Sequence, residues 1–114
     1  MQQITGDKLR GHVDSLILSA LEASEAHGLE IVKRIKAAGS GALTMKEGSL
    51  YPALYRLEEA GLVKGQWEGE NTGRRGARRR LYHLTKKGKR HLHCARQDWT
   101  TFVSIMNHAL GVQT

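Results

Sequence analysis

The sequence predicts a mainly α fold with a small β-hairpin: a winged helix-turn-helix followed by a long C-terminal dimerisation helix. Three observations predict it. Between residues 9 and 57 apolar side chains recur at helical spacing in three blocks, separated by glycine-containing breaks. Two short runs, 62–68 and 78–84, flank a glycine- and arginine-rich segment as strands flank a hairpin turn. From Lys86 to Leu110 the apolar residues return at spacings of three and four, with no glycine after Gly88 to interrupt them.

Residues 1–6 show no periodicity and read as a loosely held arm. Asp7 is placed to cap a helix that begins near Lys8, since a short acidic side chain can accept from free amides of the first turn. Leu9, Val13, Leu16, Ile17, Ala20 and Leu21 give that helix one apolar face, as far as Ser24. Residues 24–28 are a turn into a second helix. Leu29, Ile31, Val32 and Ile35 supply its buried side, and Lys33, Arg34 and Lys36 its solvent side. Gly39-Ser40-Gly41 ends it, and Ala42-Leu43 is a candidate short strand. Thr44 to Glu47 has the form of a capping box, Thr44 capping and Glu47 reaching back.

The third helix carries Leu50, Ala53, Leu54 and Leu57 on one face and stops at Gly61. Pro52 removes a backbone donor and crowds the preceding turn, which places it near the start of the regular helix or at a slight kink. Leu62 to Glu68 is a strand, Gly69 to Ala77 a turn, and Arg78 to Leu84 the return strand. Period two puts Arg80, Tyr82 and Leu84 on one face and Arg79, Leu81 and His83 on the other, with Tyr82 and Leu84 toward the core. Thr85 caps the last helix, in which Leu92, Ala95, Trp99, Phe102, Met106 and Ala109 form a heptad-like seam that Val103 and Leu110 widen.

The 114 residues suffice for one small core. The expected division is a winged helix-turn-helix over 1–84 and a dimerisation helix over 85–114. The chain holds 18 Lys and Arg against 11 Asp and Glu, a formal charge of +7. Lys64, Arg74, Arg75, Arg78, Arg79, Arg80, Lys86, Lys87, Lys89 and Arg90 concentrate that excess in one region, the electrostatic footprint of a nucleic-acid binder. The one cysteine, Cys94, excludes an internal disulfide. With no signal peptide and no spanning segment legible, a cytoplasmic protein without a membrane partner is expected.

The third helix is the candidate reading element. Lys46, Ser49, Tyr51, Tyr55 and Arg56 lie on its outer side and can donate to phosphate oxygens or pack against sugar and thymine methyl groups. Arg74 and Arg75 at the hairpin tip, with Arg78, Arg79 and Arg80 on the return strand, suit forked phosphate contacts and insertion into a narrow minor groove. The C-terminal seam, Leu92, Ala95, Trp99, Phe102, Val103 and Met106, is the candidate dimer interface. Leaving one large aromatic of it in water forgoes roughly 2–3 kcal/mol. A two-fold dimer would set two reading helices roughly 34–36 Å apart, one turn of a palindromic duplex operator. Trp99 is also a candidate wall of a pocket for a planar aromatic effector at that interface. His91 and Cys94 share a helical face, but two ligands do not make a metal site. No phosphate loop, nucleophile or carboxylate arrangement points to catalysis, and no cofactor is expected.

Leu9-Arg10-Gly11-His12, His27-Gly28, the run Glu47-Gly48-Ser49-Leu50-Tyr51-Pro52-Ala53-Leu54-Tyr55-Arg56-Leu57-Glu58, then Tyr82-His83-Leu84-Thr85 and Gly88, closely resemble the PadR family of bacterial transcriptional regulators. The likeness covers nearly the whole chain. The single C-terminal helix is similar to the smaller subfamily. The resemblance implies a winged helix-turn-helix, a dimer built through the last helix, and repression released by a small molecule. It implies that Lys46, Ser49, Tyr51 and Tyr55 face DNA, that Arg74–Arg80 is the wing, and that Trp99 lies in the dimerisation helix. Many members carry an aromatic residue after the His-Gly pair; here Leu29 stands there, which reads as a packing change. The five wing arginines exceed what the family pattern requires. They point to strong non-specific affinity, and a basic protein that binds nucleic acid without reading sequence is the alternative function.

Overall fold

The computed structural model of the chain describes residues 2–69 and 79–113. Four helices surround one core: α1 (Val13–Ala20), α2 (Gly28–Ala38), α3 (Glu47–Glu59) and α4 (Lys86–Leu110). A three-stranded antiparallel sheet, β1 (Ala26–His27), β2 (Val63–Trp67) and β3 (Arg80–Leu84), closes one side in the order β1-β3-β2. Its register pairs Val63 with Leu84, Gly65 with Tyr82 and Trp67 with Arg80. β1 adds Ala26 opposite Tyr82. The expected turn at residues 24–28 thus contains a strand, too short at two residues to show a period.

α1 is shorter than the expected helix from Lys8 to Ser24. A 3-10 turn (Gly6–Leu9) precedes it, and Gly11 adopts φ 84°, a left-handed conformation that interrupts a right-handed helix and costs glycine little. His12 is therefore the N-cap, in place of Asp7. At its other end α1 is held by Arg34 of α2. The guanidinium donates to the carbonyls of Ala20, Ser24 and Glu25 at 2.7–3.2 Å and to Ser24 Oγ, satisfying carbonyls that a helix end leaves free. Arg34 was expected on the solvent side of α2; it works as a clamp between two helices.

The N-terminal arm is also better held than expected. Ile4 donates to the Ala42 carbonyl and accepts from the Thr44 amide, a parallel bridge that uses the strand expected at Ala42-Leu43. The Thr44 hydroxyl donates to Gln3 rather than capping α3, whose N-cap is Lys46, so the expected capping box does not form. Pro52 lies in the second turn of α3, and the helix continues through it.

Ile17, Leu18, Leu21, Ile31, Ile35, Leu50, Leu54 and Leu57 form the centre of the core, with Val63, Tyr82 and Leu92 closing it. Leu29, expected among the buried side chains of α2, is exposed. Tyr82 is buried and Leu84 packs against the core, on the strand face expected. Thr85 caps α4 by accepting from the Gly88 amide at 3.0 Å, and its hydroxyl reaches the Gly61 and Leu62 carbonyls. Gly88 packs against that backbone so closely that a Cβ there would lie 2.0 Å from the Leu62 carbonyl oxygen. Leu92, assigned to the dimer seam from its spacing, is 2% exposed within its own chain. The first turns of α4 thus complete the core, and the exposed seam starts beyond Leu92.

Candidate nucleic-acid interface

α3 presents its first turns to solvent because only Leu50, Ala53, Leu54 and Leu57 face inward. Lys46 and Ser49 are exposed at its start, and Tyr51 and Tyr55 are 44% and 69% exposed. Successive residues turn 100° about a helix, so these side chains leave it in different directions. Tyr51 leans toward the start of α2, where a Cβ on Gly28 would lie 2.7 Å from its hydroxyl. Ser49 and Arg56 point to α1. There Arg56 Nη2 lies 3.0 Å from Asp14 Oδ1, and the pair borders an open cleft of about 460 Å³ that Arg10, Gly48, Ser49 and Pro52 also line. Arg10, which was not among the expected site residues, also brings a charge to this cleft. Its signal was present in its position beside the glycine that breaks the N-terminal helix.

The base of the hairpin is strapped on both faces. On one face Arg80 lies across Gly65, its guanidinium 5.2 Å from the centre of the Trp67 ring and 5.9 Å from that of Tyr82. It is paired with Glu58 of α3 at 2.5 Å. The sequence reading counted Arg80 among the phosphate-binding arginines of the wing. The structure makes it the strut that fixes the hairpin to α3. On the other face Glu68 Oε1 lies 3.0 Å from His27 Nε2 and 3.2 Å from Arg79 Nη2. Arg79 therefore already has an anionic partner, although half of it remains exposed. Arg74, Arg75 and Arg78 lie outside the described residues. Burial pushes the Tyr82 phenol above its ordinary range, so it stays protonated beneath this strut.

The seam of α4 separates into two parts. Leu92 lies in the chain's own core and Ala95 is half-buried, whereas Trp99 and Phe102 are 51% and 52% exposed. Half-buried Val103 and more exposed Met106 continue the strip. Exposed Ile105 and Leu110 extend it; Ile105 was missed, though it stands three residues after Phe102. Trp99 packs edge-on against His12 at 5.2 Å and beside Phe102 at 6.0 Å. Among the described residues no three His, Cys, Asp or Glu side chains gather as metal ligands, and no helix is long and apolar enough to cross a membrane.

This arrangement, an exposed helix in register with a strapped basic hairpin, has close counterparts. The family profile described as "Transcriptional regulator PadR-like family" matches residues 17–94. The chain belongs to the PadR-like family of transcriptional regulators. Its fold matches that of a transcriptional regulator from Clostridium thermocellum with a TM-score of 0.80 and 31% identity, over 90% of this chain and 97% of that one. A PadR family transcription regulator from Clostridium difficile is 36% identical with a TM-score of 0.73, over 88% and 99% of the two chains. A PadR family transcriptional regulator from Eggerthella lenta is 27% identical with a TM-score of 0.76, over 91% and 86%. As a PadR-like regulator the chain is a DNA-binding protein of transcription control, not an enzyme.

Proposed function

We propose that this PadR-like regulator is a dimeric, sequence-specific repressor that binds a palindromic duplex operator. On this reading Lys46, Ser49, Tyr51, Tyr55 and Arg56 meet the groove and its phosphates. Arg74, Arg75, Arg78 and Arg79 supply wing contacts, and α4 pairs two protomers through Ala95, Trp99, Phe102, Val103 and Met106. The observation that carries it is the strut from Arg80 to Glu58, which makes α3 and the hairpin one docking surface. The half-exposed Trp99 and Phe102 support the pairing, because two aromatic rings left in water forgo several times RT each. A planar aromatic effector seated against Trp99 relieves repression.

Competition between an operator selected from genomic fragments and unrelated duplex tests the reading. The operator should win by about 10³-fold or more. Equal competition would establish the alternative, a basic nucleic-acid binder without sequence readout, which the charge of +7 favours. If each protomer engages three phosphates, the log–log salt slope is on the order of −5. A flat salt dependence, or unchanged affinity after Arg74→Ala with Arg75→Ala, removes the wing from the interface. Light scattering at micromolar concentration should give twice the chain mass, and a monomer refutes the α4 pairing.

A further inference from the structure

Inward-facing Leu50, Ala53, Leu54 and Leu57 fix the orientation of α3. At 100° per residue the opposite direction falls on Gly48, Pro52, Tyr55 and Glu59, all of which are exposed. This is the outermost stripe of the reading helix, and its first turn is bare. Among the described residues nothing requires a glycine at residue 48. Its backbone is not left-handed, and a Cβ built on it would meet no described atom within 4 Å apart from the backbone of its own helix. Gly28, Gly65 and Gly88 differ in each having a neighbour in the space a side chain would fill. Glycine is the poorest helix former after proline, so this residue weakens α3 without improving its packing.

The surroundings of Gly48 are concave. It lies on the wall of the 460 Å³ cleft beside Arg56, which stays 59% exposed while paired with Asp14, and Arg10 lines the same cleft. A duplex presents the complementary shape and charge, a convex ridge of sugar and phosphate.

We infer that Gly48 is a close-approach point for duplex DNA. Its missing side chain lets the first turn of α3 lie directly against the sugar–phosphate backbone, with Arg10 and Arg56 on the flank. This rests on the DNA-binding reading above and assigns a position within it. A methyl group at residue 48 stands between two surfaces in contact, holds them apart and weakens every neighbouring contact together. Since no described atom of a neighbouring element opposes that methyl, it also strengthens the helix.

Thermal unfolding and duplex affinity of Gly48→Ala and Gly48→Gln test the inference, with wild-type protein and a genomically selected duplex at fixed salt. Gly48→Ala should raise Tm by roughly 2–4 °C. It should also weaken duplex binding about tenfold, and Gly48→Gln should weaken it further while remaining folded. Opposite signs in the two measurements are the signature. A rise in Tm with unchanged affinity overturns the inference and leaves DNA binding standing. A fall in Tm also overturns it, because Gly48 would then serve the fold, for example by accommodating the ring of Pro52 over its carbonyl. Wild-type protein that binds no duplex at all removes the underlying reading instead.

Discussion

Gly88 and Gly28 are both glycines of close approach, yet their substitution has different consequences. At Gly88 the obstacle is backbone: the Leu62 carbonyl oxygen lies 2.0 Å from the position of a Cβ. Gly88→Ala must push α4 away from the hairpin, and the urea midpoint should fall by an amount worth about 1–3 kcal/mol, as in other overpacked sites. At Gly28 the obstacle is the tip of Tyr51, an exposed side chain that can swing aside. Gly28→Ala should leave the urea midpoint nearly unchanged and reduce duplex affinity about tenfold by moving one reading residue. Equal loss of stability in the two variants would mean that Tyr51 is held as firmly as the main chain. Arg80 makes a third case. Its charge was legible in the sequence, but its role was not, because Glu58 lies 22 residues away and only the folded chain brings the two together.

Between elements, α1 and α4 are braced by a forked pair. Arg96 donates to both carboxylate oxygens of Glu22 at 2.9 and 3.0 Å and to Ser19 Oγ at 3.1 Å. The hydrogen bond from Arg96 holds the Glu22 carboxyl below its ordinary value. The folded chain then releases this proton more readily than the unfolded one, so the pair stabilises above the ordinary glutamate pKa, about 4.3, and the benefit is lost as pH falls through the depressed value. Glu22→Gln should therefore unfold at a slightly lower temperature than wild type at pH 7, and the two melting curves should converge as the pH falls through the depressed value. High salt should shrink the difference, since the pair is solvent-exposed. Most elements were legible because their periods run for several turns: α2, α3, α4 and the hairpin strands follow the sequence pattern. The failures are short or depend on one dihedral angle. β1 has two residues, and Gly11 shortened α1 by adopting a left-handed conformation that no spacing reveals. The candidate site was legible as residue types on a helix face. What remained hidden was which charges also have a partner inside the chain, as Arg80 has Glu58, Arg79 has Glu68 and Arg56 has Asp14.

At the scale of the whole molecule, α3 and α4 both pack against α1. Its N-cap His12 meets Trp99 at 5.2 Å, and two residues later Asp14 meets Arg56 of α3 at 3.0 Å. With an aromatic effector bound at Trp99, His12→Ala should preserve duplex affinity while abolishing the effector's influence on it, measured as the change in duplex Kd with and without ligand. An effector response that survives this substitution would place the communication elsewhere. On the proposed reading, the contact between His12 and Trp99 is where an effector bound at the seam would meet α1, and only two residues separate it from the Asp14–Arg56 pair, so α1 would be a short lever between the two.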